Sequence, residues 1–215
     1  MTDEIRDTPD PSGGPPAGAS RPAVDVSADD LTEQVVNSNV LHAGHYLDFR
    51  IETISRSDGS TAKREIVGHP GAVAIVALEP NDQVLLVRQF RLAAGRVLLE
   101  IPAGTLDRDE STGEIEDPDL AASRELEEET GYRAGHWQKL AAFWTAPGFA
   151  TEYMHLYLAT DLTPAHADRL GPDDDERLLL ERRPFDDALA AVDQGEIADA
   201  KSIAGLLWVG RLRGR

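Results

Sequence analysis

The stretch from Leu99 to Tyr132 constrains the fold more than any other part of the chain. In it an apolar run leads through a short turn into a helix with clear start and stop signals. Asp117 is a candidate N-cap, Pro118 suits the first helical position, and Gly131 suits the C-terminal end. The turn before the helix is Pro102-Ala103-Gly104, whose carbonyl oxygens are suitable ligands for a cation. We therefore predict a strand, a turn and a helix in close succession.

One face of the predicted helix carries three carboxylates. Glu125, Glu128 and Glu129 are spaced i, i+3 and i+4, so that about 100° per residue puts them within an arc of roughly 100°. Ala122 and Leu126 lie on the opposite side and can pack inward. Like charges at this spacing repel by roughly a few tenths of a kcal/mol per pair, and the helix contains no lysine. The face is either solvated surface or a site for a hard divalent cation, and the flanking turn and glycine favour the cation.

These residues resemble the Nudix box of the Nudix hydrolases. That signature is Gly, five residues, Glu, seven residues, Arg-Glu, an apolar residue, any residue, Glu-Glu, any residue, Gly and an apolar residue. The second half of the signature is matched at every position, by Arg124, Glu125, Leu126, Glu128, Glu129, Gly131 and Tyr132.

The first half of the signature departs from the family pattern. Gly104 and Glu110 have five residues between them, but thirteen rather than seven separate Glu110 from Arg124. Glu116 has the seven-residue distance to Arg124 but lies too far from Gly104. We interpret this as a six-residue insertion around Ser111 to Glu116, in a loop where extra length costs little entropy. The loop glutamate of the box is therefore either Glu110 or Glu116.

The resemblance implies a fold and a metal site. The family fold is an α/β/α sandwich with a mixed sheet, and the implied cofactor is Mg²⁺, with Mn²⁺ as a substitute. In the similar enzymes the carbonyl of the residue before the box glycine, here Ala103, binds metal together with the glutamates at the positions of Glu125 and Glu129. Glu128 is a ligand or a catalytic support there, and Arg124 pairs with a nearby carboxylate.

A general base is expected from the acidic segment Gly171 to Arg177, which reads GPDDDER. A mobile acidic loop that reaches over the metals would suit this role. In ADP-ribose hydrolases two loop glutamates separated by one residue precede a strand. This pattern assigns Asp174 as the base and Glu176 as a further metal ligand. Because Asp is one methylene shorter than Glu, Glu176 and Asp175 remain alternative bases.

Outside the box, the resemblance to ADP-ribose hydrolases implies a set of substrate-binding residues: Arg91, Arg64, Glu65, Tyr46, Pro147 and Glu152. The charged residues in RQFR and KREIV match positions that contact phosphate or ribose, and an arginine fork suits a diphosphate better than lysine does. Tyr46 is a candidate for stacking on adenine, and Glu152 for accepting hydrogen bonds from the distal ribose. Pro147 lies sixteen residues beyond Gly131, close to where a proline marks ADP-ribose-specific members.

The rest of the chain divides into three parts. Residues 1–28 are rich in Pro, Gly, Ser and Asp, and we predict a disordered tail. Residues 29–70 alternate like a small antiparallel β-sheet with a turn at Ser57 to Gly59. Such a sheet is marginal alone, and the resemblance implies that it is exchanged within a homodimer. Residues 71–215 form the main domain, with two helices near Phe185 to Gln194 and Ala198 to Leu212.

Composition excludes several classes of function. The formal charge of −18, from 21 basic and 39 acidic residues, argues against binding nucleic acid or an anionic membrane by electrostatic attraction. The chain has no cysteine, which excludes disulfides, zinc-thiolate sites and a cysteine nucleophile. No signal peptide or apolar run of about 18 residues is evident, so we expect a cytoplasmic protein. The six histidines show no metal-ligand spacing, and none is assigned to a site.

The sequence supports one main hypothesis, Mg²⁺-dependent hydrolysis of ADP-ribose to AMP and ribose 5-phosphate. The first alternative keeps the mechanism but changes the substrate to another nucleoside diphosphate sugar, such as GDP-mannose, or to a dinucleotide. An inactive Nudix-like ligand sensor is a second alternative. Sensors of that kind are expected to lose box glutamates and to carry a DNA-binding domain, and this chain shows neither feature. A plain cation-binding module does not account for the Pro-Ala-Gly turn or for the arginines.

Overall fold

A computed structural model describes residues 28–109, 111–165 and 177–215 of the chain. The predicted tail therefore lies outside the described residues except at its last position, where a short 3₁₀ turn, Ala28–Leu31, begins. The strands are β1 (Glu33–Ala43), β2 (Asp48–Arg56), β3 (Thr61–Gly68), β4 (Ala72–Leu78), β5 (Gln83–Arg91), β6 (Arg96–Glu100), β7 (Ala103–Thr105), β8 (Tyr132–Trp144), β9 (Tyr153–Pro164) and β10 (Leu178–Pro184). The helices are α1 (Pro118–Thr130), α2 (Phe185–Asp193) and α3 (Ala200–Leu212).

The small sheet predicted between residues 29 and 70 is a three-stranded antiparallel meander in the order β1-β2-β3. Its central strand aligns Ile51 with Asn39 on one side and with Glu65 on the other. Gly59 closes the β2–β3 turn with φ +79°, a conformation that suits glycine. Every residue of β1 is exposed in the single chain. The small sheet therefore has an edge and an apolar surface that residues 28–109, 111–165 and 177–215 leave exposed.

The main sheet has the strand order β10-β5-β4-β9-β8, with β6 paired to β5 and β7 paired to β4. Strands β4 and β9 run parallel, with Ile75 opposite Tyr157, and the other ladders among the described strands are antiparallel. The sheet is therefore mixed. Central strand β4 is buried on both faces, which explains why it reads as the continuous apolar run AVAIVAL.

Helices cover both faces of the main sheet. Alternate side chains of β4 point to opposite sides, so Val73 packs with Leu126 of α1 while Val76 packs with Leu206 of α3. Gly205 lets α3 approach the sheet closely, because a Cβ atom there would lie 2.9 Å from Cγ2 of Val76. The predicted α/β/α sandwich with a mixed sheet is confirmed. None of the helices in the described ranges combines the length and apolar character needed to cross a membrane.

Most element predictions hold, and two elements were missed. The two C-terminal helices lie close to their predicted positions as α2 and α3. The three-residue strand β7 forms directly after the Pro102 turn, where its length is too short to give a periodic signal. The first half of β8 was also missed, because its polar sequence YRAGHWQ lacks strict alternation. Strand β8 is the outer strand beside β9, a position that tolerates polar side chains on both faces.

Candidate active site at the box helix

The box helix α1 begins and ends as the sequence indicates. Asp117 accepts a hydrogen bond from the backbone N–H of Asp119 at 2.8 Å, and Pro118 is the first helical residue. Gly131 ends the helix in the left-handed conformation, with φ +72°. Along the acidic face Glu125 and Glu129 are 8% and 7% exposed, so these carboxylates are buried rather than solvated. Buried carboxylates require compensating partners.

Arg124 supplies much of that compensation. Its Nη1 lies 2.9 Å from Oε1 of Glu125 and 2.8 Å from Oε2 of Glu128, and its Nη2 lies 2.9 Å from Oε2 of Glu116. Hydrogen bonding to Glu116, followed by the charges of the other carboxylates, raises the pKa of Arg124 despite partial burial. Arg124 therefore offsets part of the repulsion among these glutamates without a bound cation. The helix carries its own counter-charge at the adjacent position.

Arg124 also contacts one of the two candidate loop glutamates of the box, Glu116. Burial favours the neutral form of Glu116, but hydrogen bonds from Arg124 and from the backbone of Asp107 outweigh it and lower the pKa of Glu116. The insertion is a small hairpin in which Arg108 bridges Ile115 in antiparallel register. Glu110 lies outside the described residues, and among the described residues Glu116 is a loop glutamate that contacts the helix.

The Pro-Ala-Gly turn lies directly against the helix carboxylates. The backbone N–H of Ala103 donates to Oε2 of Glu129 at 3.0 Å. Gly104 faces Glu125 so closely that a Cβ atom at this position would lie 1.9 Å from Oε1. The box glycine is thus required by the approach of a carboxylate. The resulting set of oxygen donors suits a hard divalent cation, since such ions prefer carboxylate and carbonyl oxygens.

The candidate metal-binding carboxylates of the helix already have partners within the protein. Within the three described ranges, no group of three or more Asp, Glu or His side chains is arranged to hold a metal ion. The physical reason is visible in the contacts above, because Arg124 holds Glu125 and Glu128 while the turn holds Glu129. Metal binding would therefore compete with the contacts of Arg124.

A cavity of about 430 Å³ opens beside the box turn. Three of the residues predicted from the sequence meet in its wall, namely Ala103, Arg91 and Glu152. His69 and Lys201, to which the sequence analysis gave no role, also line it. The cavity thus connects the turn at the metal-binding motif with candidate phosphate and sugar contacts.

A buried carboxylate fixes the cationic wall of this cavity. Glu100 is 1% exposed and accepts hydrogen bonds from Nε of Arg91 at 3.0 Å and from Nη2 of Arg91 at 2.8 Å. Lys201 also donates to Glu100, and its Nζ lies 2.9 Å from Oδ1 of Asp199. Burial favours protonation of Glu100, but the two cations dominate and lower its pKa. Glu100 is a charged residue at the end of the apolar run LLE, and this position was the sequence signal that could have indicated a buried carboxylate with cationic partners.

The opposite wall carries Glu152. Thr145 Oγ1 donates to one carboxylate oxygen of Glu152, and Nε2 of His69 lies 3.6 Å from the other. The loop that leads to Glu152 is attached to β3, because the N–H of Val67 donates to the carbonyl of Phe149 at 2.8 Å. Pro147 is exposed in this loop and is not among the residues that line the cavity.

Other predicted residues lie elsewhere. Tyr46 lines a second cavity of about 210 Å³, beside Leu106. Arg64 and Glu65 lie on β3 outside both cavities, and Nε of Arg64 donates to Glu33 at 3.0 Å. The candidate bases Asp174, Asp175 and Glu176 lie outside the described residues.

Comparison with known proteins identifies the family. The NUDIX domain model matches residues 68–206. The chain belongs to the NUDIX domain family. This confirms the resemblance that the box residues indicated, and the protein is a Nudix hydrolase, a class that generally requires a divalent metal.

Individual relatives cover most of the chain. The ADP-ribose pyrophosphatase of Bacillus subtilis is 39% identical, covering 80% of this chain and 89% of its own length. The methanol dehydrogenase activator of Bacillus methanolicus is 35% identical (82% and 92%), and the GDP-mannose pyrophosphatase of Cronobacter sakazakii is 32% identical (80% and 92%). A crystal structure of an ADP compounds hydrolase superimposes with a TM-score of 0.72 at 23% identity, covering 87% of this chain and 98% of its own. That likeness confirms the Nudix fold.

We predict that Gly104→Ala impairs divalent-cation binding without unfolding the protein. The added methyl group would occupy the position of the Glu125 carboxylate, whose flexible side chain must move away. We expect affinity for Mn²⁺, measured by isothermal titration calorimetry, to fall by about 10- to 100-fold. Gly148→Ala is the matched control, because a Cβ atom at Gly148 meets nothing within 4 Å. Equal affinities in the two variants would contradict the assignment of Glu125.

We also predict that Glu100 stabilises the fold in a pH-dependent way. Its folded-state pKa lies below the ordinary value of 4.5, so its contribution is present above that pH and is lost as the pH falls through the folded-state value. Glu100→Gln should lower the free energy of unfolding by about 1–3 kcal/mol at neutral pH. In urea unfolding series the difference from wild type should shrink below pH 4.5. The exposed Glu114→Gln serves as control, and a pH-independent difference would contradict the prediction.

Proposed function

We propose that the protein hydrolyses the diphosphate bond of ADP-ribose, giving AMP and ribose 5-phosphate, with Mg²⁺ as cofactor and Mn²⁺ as a substitute. The observation that carries this proposal is the cavity that joins the box turn to Arg91 on one side and Glu152 on the other. A diphosphate with a sugar at its end needs a cation-lined part and a hydroxyl-accepting part. The 39% identity to the ADP-ribose pyrophosphatase of Bacillus subtilis supports this choice.

The residues that would hold the metal are the carbonyl of Ala103 and the carboxylates of Glu125 and Glu129, with Glu128 and Glu176 as further candidates. When bound, the ion would neutralise diphosphate charge and lower the pKa of a bound water. The donor set fits this role because two buried carboxylates lie against the turn that carries the carbonyl.

The chain's own residues would orient the substrate. Arg91 approaches the diphosphate with its guanidinium already fixed by Glu100, which reduces the entropy lost on binding. Glu152 would accept hydrogen bonds from the terminal ribose. Water attacks one phosphorus, the bond from that phosphorus to the bridging oxygen breaks, and the leaving phosphate ester keeps the bridging oxygen and its electron pair. The water proton passes to an acid of the 171–177 segment, with Asp174, Glu176 and Asp175 as candidates.

The alternative substrate is another nucleoside diphosphate sugar, such as GDP-mannose, or a dinucleotide. The 32% identity to a GDP-mannose pyrophosphatase favours the nucleotide-sugar alternative. Comparing kcat/KM for ADP-ribose, GDP-mannose and a dinucleotide, with AMP or GMP release as readout, separates these substrates. An inactive sensor is disfavoured because every box glutamate of the helix is present. We keep the cytoplasm as the expected compartment, because nucleoside diphosphates and free Mg²⁺ occur there.

We further propose that the protein acts as a homodimer built on the small sheet. Strand β1 exposes Val35, Val36, Val40 and Leu41, each more than half exposed. Several large apolar side chains exposed on one edge strand are typical of protein interfaces. In a single chain Arg64 and Glu65 lie away from the cavity, and a second copy offers a way for them to approach it.

We predict that Glu129→Gln abolishes hydrolysis while the protein stays folded. The substitution keeps the size of the side chain but removes the charge that a divalent cation requires. We expect kcat/KM for ADP-ribose to fall by at least about 100-fold, measured by AMP release. Glu127→Gln is the matched control on the same helix, because Glu127 is buried against Arg133 and lies outside the proposed metal site. Unchanged turnover in Glu129→Gln would refute the metal assignment, and no turnover of any diphosphate by wild type would refute the function.

We predict that wild type has twice the chain mass of 23.3 kDa in solution and that Val40→Asp shifts it to the monomer. A carboxylate at this exposed apolar position would be desolvated in a dimer interface without a partner. Size-exclusion chromatography with light scattering measures the mass. Thr61→Asp, at an exposed position on β3, is the control. A monomeric wild type would overturn the dimer proposal.

A further inference from the structure

His69 lies in the wall of the main cavity and has no role in the mechanism described above. It belongs to the short link between β3, which ends at Gly68, and β4, which begins at Ala72. Its side chain is 16% exposed, and the imidazole faces Glu152 across the cavity wall. A polar ring held in this position needs an explanation beyond packing.

The protonation pattern of the imidazole is set by the backbone. Nδ1 of His69 accepts a hydrogen bond from the N–H of Gly71 at 3.0 Å, so Nδ1 carries no proton. Burial lowers the pKa of His69, although the charge of Glu152 opposes the shift, and the neutral ring therefore carries its proton on Nε2. Gly71 adopts φ +113°, which favours glycine and shapes this turn. The turn thus presents an N–H donor at Nε2.

That donor is directed at Glu152. Nε2 of His69 lies 3.6 Å from Oε1 of Glu152, while Thr145 Oγ1 donates to Oε2. The first distance exceeds an ordinary hydrogen bond and is an electrostatic contact between the ring N–H and the carboxylate. Each carboxylate oxygen therefore faces one donor of the protein, and each has lone pairs left for a ligand.

The backbone around this group is fixed as well. The N–H of His69 donates to Oγ1 of Thr151 at 2.8 Å, and the same hydroxyl donates to the carbonyl of His69 at 3.1 Å. The N–H of Thr151 donates to the carbonyl of Val67 at 3.0 Å. The histidine and the residue before Glu152 are therefore held at a fixed separation.

We propose that His69 is a positioning residue that orients Glu152 to accept two adjacent hydroxyl groups of the substrate's terminal sugar. A carboxylate whose orientation is fixed by a donor near each oxygen matches a vicinal diol, because each oxygen can accept one O–H. His69 would thereby set specificity for diphosphates that end in a sugar over those that do not. This inference rests on the proposed function for the identity of the ligand.

The test compares ADP-ribose with the β-methyl ester of ADP, which keeps the adenosine and the diphosphate but lacks the terminal sugar. For His69→Ala we expect KM for ADP-ribose to rise about tenfold with kcat within about twofold. The corresponding KM for the methyl ester should change less than about twofold. Dissociation constants measured calorimetrically in EDTA should show the same selective loss.

Two further variants separate positioning from folding. His69→Gln can donate from its amide near the position of Nε2 and should recover most of the affinity for ADP-ribose. Thr145→Val removes the other donor to Glu152 and should reproduce the selective loss seen in His69→Ala. Circular dichroism melts show whether each variant is folded, and the Gln and Val variants decide the question if His69→Ala is not.

Each outcome bears on one proposal or the other. An equal loss for ADP-ribose and the methyl ester, or no recovery in His69→Gln, would overturn the role of His69. Selective binding of ADP-ribose without hydrolysis by wild type would refute the proposed function and leave the role of His69 supported. Wild-type affinities that are equal for the two ligands would refute the sugar contact itself.

Discussion

The ion pairs of Arg124 are the interaction on which the rest of the site depends. One guanidinium binds carboxylates from two positions of the box helix and from the loop that precedes it. Removing the arginine would leave buried acidic groups without compensation, which is among the costliest changes in a protein interior. The same contacts fix Glu116, close to the end of the hairpin, to the helix. The inserted residues form a short paired loop at the surface.

Around Arg124, the backbone of the turn before β7 approaches the box helix closely. The turn before β7 contacts the helix through Ala103 and Gly104, and no side chain larger than hydrogen fits at the second position. The cavity then extends between two walls of opposite charge. Glu100 holds the cations of one wall, and Thr145 and His69 hold the carboxylate of the other. Both walls are held by partners within the protein itself, so much of the ordering cost of substrate binding is met during folding.

Features set by a few neighbouring residues could be predicted from the sequence. Contacts between residues that are far apart in the chain could not. The caps at Asp117 and Gly131 and the buried strand β4 follow from residue preferences that act over a few positions. The choice between Glu110 and Glu116 required the structure, because it depends on how the loop folds back onto Arg124. His69, Glu100 and Lys201 were missed for the same reason. Their contacts include partners more than 80 positions away, as in the pairs His69–Glu152 and Glu100–Lys201, and spacing rules cannot detect such pairs.

The backbone pairing between Val67 and the loop that ends at Glu152 links the two sheets of the molecule. Strand β3 belongs to the small sheet on which a second copy is proposed to dock, and its residue Val67 also pairs with the loop that leads to Glu152 in the cavity wall. Any shift of that strand on assembly would be felt by the bound ligand, and the converse holds by thermodynamic reciprocity. In the proposed dimer, the equilibrium of assembly would then be thermodynamically coupled to the affinity for ligand.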